Sequence, residues 1–253
     1  MKKVFMVLGS CLMAALVLLS CQDNNKPDNK DKNKENQEEE VEDNALITID
    51  GQFKDWADAP KVFECYLPDG AEKVSVLALK VTSDENKLYI YFEQELEDGQ
   101  AMSPFDFFLN TDGKDETGAS TYLWEDAGWE YLIESEAGFL ASATAVKDMA
   151  DMALYKFIGP DGADGWDDPD ESDDIDAPYQ ERTEESGFAT SAGVVENGIA
   201  KVEVAVERAV FEGMVKKITV GILLYEGESW VDNGLLPQGD EGALCPMMAV
   251  ELQ

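Results

Sequence analysis

Two rhythms of apolar residues divide this chain. Val4 to Leu19 is an almost unbroken apolar run behind Lys2 and Lys3, closed by Leu18-Leu19-Ser20-Cys21. From Ala45 onward the apolar positions instead recur every second residue, the period of strands, whose side chains alternate between two faces. Leu46-Ile47-Thr48-Ile49 predicts a short strand stopped by Asp50-Gly51, a strong turn former. Val74, Val76, Leu79 and Val81 predict a second strand, and Leu88, Ile90 and Phe92 a third, joined as a hairpin through Asp84-Glu85-Asn86-Lys87. Further strands are expected over Phe105–Leu109, Tyr131–Ile133, Leu154–Ile158, Val202–Val206, Ile218–Leu224 and Met247–Leu252. One window competes: between Ala143 and Leu154, Met149, Ala150 and Met152 could share a helix face. About nine or ten short strands between turn-rich gaps predict an all-β fold, an antiparallel β-sandwich of jelly-roll or immunoglobulin-like type. Two long gaps, 159–187 and 227–244, are dense in Asp, Gly, Glu and Pro, and loops of such length usually carry function or mobility.

The first rhythm has a different meaning. A short basic start, an apolar run too short to span a bilayer and a small residue before a cysteine form a secretory leader. The cysteine makes it resemble the lipobox of bacterial lipoproteins. That resemblance implies cleavage before Cys21 and acylation, palmitate included, of its thiol and new amino terminus. Residues 22–44 are almost wholly Asp, Glu, Asn, Lys and Gln. Such a segment cannot offset its ordering entropy, so a disordered tether reaching roughly 25–30 Å is expected. Three parts follow: leader 1–20, acylated tether 21–44, and one sandwich domain over 45–253. The implied location is the outer membrane or cell surface, reached through lipid.

Charge narrows the partners. Lys and Arg number 19 against 54 Asp and Glu, a formal net charge of −35. Such a surface repels phosphate backbones and anionic lipid, which disfavours nucleic acid and leaves membrane attachment to the acyl chains. Neutral sugars and divalent cations remain compatible. The chain has no histidine, which removes Ser-His-Asp and Cys-His catalysis and every His-based metal or haem site. Of four cysteines, Cys11 leaves with the leader and Cys21 carries lipid. Cys65 and Cys245 remain as a candidate disulfide, which would close a loop of about 180 residues, worth about 4–5 kcal/mol in the chain-entropy model.

Several short motifs carry a family resemblance. Ile47-Thr48-Ile49-Asp50-Gly51 followed by Asp55-Trp56 resembles the opening of family 9 carbohydrate-binding modules and related DOMON-type sandwiches. Lys87-Leu88-Tyr89-Ile90-Tyr91-Phe92, then Phe107-Phe108-Leu109-Asn110-Thr111-Asp112 closing at Thr117-Gly118, then Trp129–Glu134 follow in the order of those families. The resemblance implies a sandwich that in many relatives binds sugars by aromatic stacking, sometimes with structural calcium. The chain departs from the pattern at Asn110, where an aspartate is usual.

The tryptophans are the leading site candidates, because a flat indole matches the apolar face of a pyranose. Trp56 reads as core. Trp124 and Trp129 flank Glu125-Asp126-Ala127-Gly128, Trp166 precedes Asp167, and Trp230 precedes Val231-Asp232, all in acidic, glycine-rich surroundings. These four rings, with Glu125, Asp126, Asp167 and Asp232 as acceptors for sugar hydroxyls, are the expected ligand site. Asn110, Asp112, Asp115 and Glu116 could supply oxygens to calcium, although a plain hairpin turn explains Asp112-Gly113. The resulting expectation is a non-catalytic, glycan-binding envelope lipoprotein without haem. The alternative is a structural subunit docking an envelope protein. Hydrolysis would need two carboxylates across a cleft, a pairing that 54 acids make by chance.

Overall fold

The computed structural model describes residues 45–68, 75–97, 100–135, 144–148, 151–165, 179–183, 187–225, 232–239 and 243–253. Two antiparallel sheets face one another. One contains, in spatial order, β1 (Phe63–Tyr66), β2 (Val76–Ser83), β3 (Lys87–Glu95), β10 (Ile199–Glu207), β9 (Ala189–Glu196) and β6 (Val146–Lys147). The other runs β12 (Asp232–Leu236), β11 (Lys217–Tyr225), β4 (Phe105–Asn110), β5 (Tyr131–Ser135), β7 (Met152–Phe157) and β8 (Gln180–Arg182). β11 shares one edge between two partners: β12 pairs with its second half, and β13 (Met248–Glu251) with its first. The chain is therefore an antiparallel β-sandwich. No helix among the described residues is long and apolar enough to cross a membrane.

The core lies between the sheets and follows the period of two. Leu79 and Val81, Leu88, Ile90 and Phe92, and Val202, Val204 and Val206 face Phe105, Phe107 and Leu109, Ile133, and Ile218, Val220 and Ile222. Both outer faces are roofed as well. Ile47 and Trp56 cover Tyr89, Tyr91 and Ala205 on the six-stranded sheet. Trp124 and Trp129 cover Phe108, Leu132, Phe157 and Leu223 on the seven-stranded sheet. β3 is apolar at both parities over Leu88–Phe92, and β4 is buried at both parities, because each parity meets a packed layer.

The opening segment departs from the expected strand over Leu46–Ile49. Its N–H groups find carboxylates instead of a neighbouring strand. Thr48 N donates to Asp55 at 2.9 Å, while Asp50 N and Gly51 N both donate to Glu203 Oε1 at 2.8 and 2.7 Å. The indole N–H of Trp56 donates to Glu203 Oε2 at 3.0 Å. One fully buried carboxylate on β10 thus holds a strap across the sheet, and Trp56 is core as its sequence context implied. The helical window also resolves into strands. Met152 pairs opposite Ser135 in β5, and Val146–Lys147 pairs with β9, so sheet pairing prevails over the local apolar spacing; 149–150 lie outside the described residues. β1, β8, β9 and β12 form where no strand was expected, β8 and β12 within the two long gaps.

Candidate functional site

The aromatic site expected from sequence is redrawn by burial. Trp124 is 2% exposed and Trp129 is fully buried. Both pack on Phe108, at ring-centroid distances of 5.3 and 5.5 Å. Gly221 sits in the middle of β11 because a side-chain carbon there would come within 2.7 Å of the Trp124 indole. These two rings are therefore a roof over the seven-stranded sheet, and neither offers a face to a sugar. The physical reason is the second apolar parity of β4 and β5, Phe108 and Leu132, which needs cover from water. Trp166, Asp167 and Trp230 lie outside the described residues. Asp232 opens β12, while Glu125 and Asp126 are exposed.

The buried Trp124 nonetheless frames a surface site. Its indole N–H donates to Pro237 O at 2.8 Å. Glu125 N donates to Cys245 O at 3.1 Å. These two bonds fasten the segment around residue 124 to the chain between β12 and β13. Between the two segments lies a cleft of about 160 Å³, lined by Tyr122, Leu235, Pro237, Gln238, Leu244 and Cys245 among others. Tyr122 is 63% exposed and Leu244 51% exposed, an aromatic and an aliphatic rim left wet. The side-chain carbonyl oxygen of Gln238 is buried and has no donor among the described residues. An apolar rim of this kind can take a ligand that is apolar on one face. Tyr122 was missed by sequence reasoning because only the two indoles beside it were weighed.

The proposed calcium ligands do not converge. Asn110 Nδ2 donates to Lys114 O and Ala127 O, and Asn110 Oδ1 accepts from Gly113 N at 2.8 Å. Asp112 accepts from Lys114 N, Lys114 Nζ and Thr117 Oγ1. Asp115 and Glu116 stand exposed beyond them. The asparagine amide is consumed in closing the turn, so this set does not fit calcium as placed. Among the described residues no group of three or more acidic, thiol or imidazole side chains is arranged to hold a metal.

Two carboxyl groups stand out electrostatically. Asp106, on the outer face of β4, is buried and accepts from Tyr225 O–H at 2.7 Å, while its Oδ1 has no donor among the described residues. Burial pushes its carboxyl well above the ordinary range, and Glu134 directly across on β5 adds to this. Burial likewise pushes Glu130 up to about 7, with Asp112 contributing. Its Oε2 accepts from Thr111 N at 2.6 Å and its Oε1 has no donor among the described residues. Cys65 and Cys245 are both unbonded and half-buried.

No family model matches the chain, and no curated protein matches it. Among solved structures, the chain is similar to a family 9 carbohydrate-binding module from Caldicellulosiruptor kristjanssonii in complex with cellotriose, at 9% identity and a TM-score of 0.38, covering 82% of this chain and 89% of that one. It is similar also to a family 9 module from the same organism in complex with glucose, at 10% identity and a TM-score of 0.39, covering 82% and 91%.

Proposed function

We propose that this protein is a non-catalytic saccharide-binding lipoprotein, moored to the outer membrane or cell surface through Cys21. The observation that carries the binding half is the cleft with its exposed Tyr122 and Leu244. A pyranose has an apolar C–H face for the tyrosine ring and hydroxyls for the exposed Glu125 carboxylate, whose backbone N–H is fastened to Cys245 O at the cleft wall. At about 30 Å³ per water, the cleft has room for roughly five waters, a space of the order of one sugar ring. A strongly acidic surface admits an uncharged ligand without electrostatic penalty.

Retention of the full chain on polysaccharide affinity gels tests the reading. Wild type should be retarded on at least one polysaccharide, and Tyr122→Ala should weaken that retention about tenfold, the loss of one aromatic contact of about 1.4 kcal/mol. Equal retention by both proteins, or none on any polysaccharide, removes the basis of the proposal. A stoichiometric protein co-purifying in place of any glycan would favour docking to an envelope partner instead.

The mooring half rests on the Leu18-Leu19-Ser20-Cys21 motif. Cys21→Ser should move the protein from the detergent phase to the aqueous phase on phase separation, and wild type should yield an acylated N-terminal peptide. An unmodified Cys21 peptide in the wild type would end that assignment.

A further inference from the structure

The cleft is built by two stretches of chain, and neither carries a cation. Between Lys114 and Lys147, and beyond Lys217 to Gln253, the sequence has no Lys or Arg, while acids recur throughout. In the first stretch Trp124 is turned inward and fixed by its indole N–H on Pro237 O. Tyr122 and Glu125, on either side of it, are exposed. Three residues apart, their backbones lie within about 11 Å of each other, a span that one small saccharide bridges.

Glu125 is fastened to the second stretch. Its N–H donates to Cys245 O at 3.1 Å, and the residue forms a bridge with Pro246. Cys245 lines the cleft, and burial first, then the Glu125 carboxylate, pushes its thiol up. No ion pair among the described residues includes Glu125 or its exposed neighbour Asp126. Lys114, the cation nearest to them in sequence, is engaged by Asp112 at 2.8 Å. An aromatic, apolar rim therefore stands beside a carboxylate without a counter-ion, and a neutral sugar leaves that charge unmatched.

We propose that the cleft selects amino sugars: a pyranose with a protonated amine lays its C–H face on Tyr122 and turns its ammonium to the Glu125 carboxylate. This rests on the saccharide-binding reading and adds to it the charge of the ligand and a specificity-determining residue. The ammonium at the ring edge also meets the negative face of the tyrosine. Each attraction is small at an exposed site, and together they amount to about threefold or more in affinity. Sugar acids are disfavoured by the same carboxylate and by the net charge of −35.

Isothermal titration calorimetry on the full chain tests the selection, at about pH 6, where an amine is protonated, and about 0.15 M salt. The probes are trimers of one linkage: the glucosamine trimer, its N-acetylated form and cellotriose. The glucosamine trimer should bind about threefold tighter or more than either uncharged trimer. Glu125→Gln should bring that ratio to about one. Asp58→Asn removes the same charge from an exposed position beside Trp56, on the six-stranded sheet, and should leave the ratio unchanged. Both positions are exposed, so both variants should fold as wild type does. A glucosamine trimer bound no tighter than cellotriose overturns the charge selection and leaves saccharide binding standing. A ratio that survives Glu125→Gln, or falls equally with Asp58→Asn, assigns the preference to the whole acidic surface and overturns the role of Glu125. Binding of none of the trimers removes the saccharide-binding reading, and this inference with it.

Discussion

Trp129→Ala should lower the stability of the domain by about 3–5 kcal/mol, the usual cost of deleting a large buried ring. The ring is fully buried and contacts Phe108 and, at 5.7 Å between centroids, Phe157. A side-chain carbon at Gly165 would collide with it, so the chain around residue 165 is fitted to the indole. Against a total stability of about 5–15 kcal/mol, this loss is a large fraction. The thermal midpoint should drop by about 10 °C or more, read by far-ultraviolet circular dichroism, since the variant removes a fluorophore. Trp129→Phe should cost less than half as much, because it keeps the ring contacts and removes an indole N–H that has no acceptor among the described residues. Tyr122→Ala, at an exposed position, should stay within about 0.5 kcal/mol of wild type. A Trp129→Ala protein melting within a degree of wild type would mean that the roof is not packed as described.

Stability should fall as pH rises from about 4.5 to 7. Glu130 titrates near 7 in the folded protein, against an ordinary value of 4.5, because burial disfavours its charged form. Within that window the folded state binds more protons than the unfolded one. Its contribution is therefore fully present below 4.5 and is lost as pH climbs through 7. After discounting for partial solvent screening, the effect is about 1–2 kcal/mol. Asp106 acts in the same direction, from the ordinary aspartate range of 3.8 upward, through deeper burial and the facing Glu134. Glu130→Gln should flatten the slope of midpoint against pH between 5 and 7, and Asp106→Asn should raise the midpoint by an amount that grows with pH from the ordinary aspartate range upward. Measurement at high salt separates these local terms from the repulsion of a chain carrying −35 charges. At the acid end the sign reverses. Asp84, although burial opposes it, is held low by Tyr89 O–H and the N–H groups of Asn86 and Lys87, so its contribution is lost on acidification. A midpoint rising steadily from pH 5 to 8 at high salt would contradict the buried carboxyls.

How far the chain could be read before its structure depends on the kind of signal. Val202, Val204 and Val206 alternate and form β10; Leu88, Ile90 and Phe92 alternate and form β3. β9 was missed because Ala189-Thr190-Ser191-Ala192-Gly193 buries small residues, which leave no hydrophobic period. Leu46–Ile49 was misread because its alternation is real but its backbone donors at Leu46 and Thr48 are taken by Asp84 and Asp55, and the following Asp50-Gly51 is held by Glu203, more than 150 residues away. The roof tryptophans did leave a trace. Phe107-Phe108-Leu109 and Leu88-Tyr89-Ile90-Tyr91-Phe92 are apolar at both parities, and a strand apolar on both faces requires cover on both. That cover comes from residues such as Trp56, Trp124 and Trp129. Tyr122, one residue from Leu123 and two from Trp124, had no comparable mark.

Local alternation and turn chemistry, which act between near neighbours, were enough to determine two-faced antiparallel strands and hence a sandwich. The absence of histidine and the surplus of acids were enough to remove whole classes of chemistry. Which aromatic ring stays wet was decided only in three dimensions. Trp124 turns inward onto Gly221 and Phe108 while Tyr122 stands at a cleft, because exposure depends on what the distant strands β4 and β11 leave uncovered. The same holds for Asp106 and Glu130: their carboxyls are ordinary in composition and become unusual only through the burial that the assembled sheets impose.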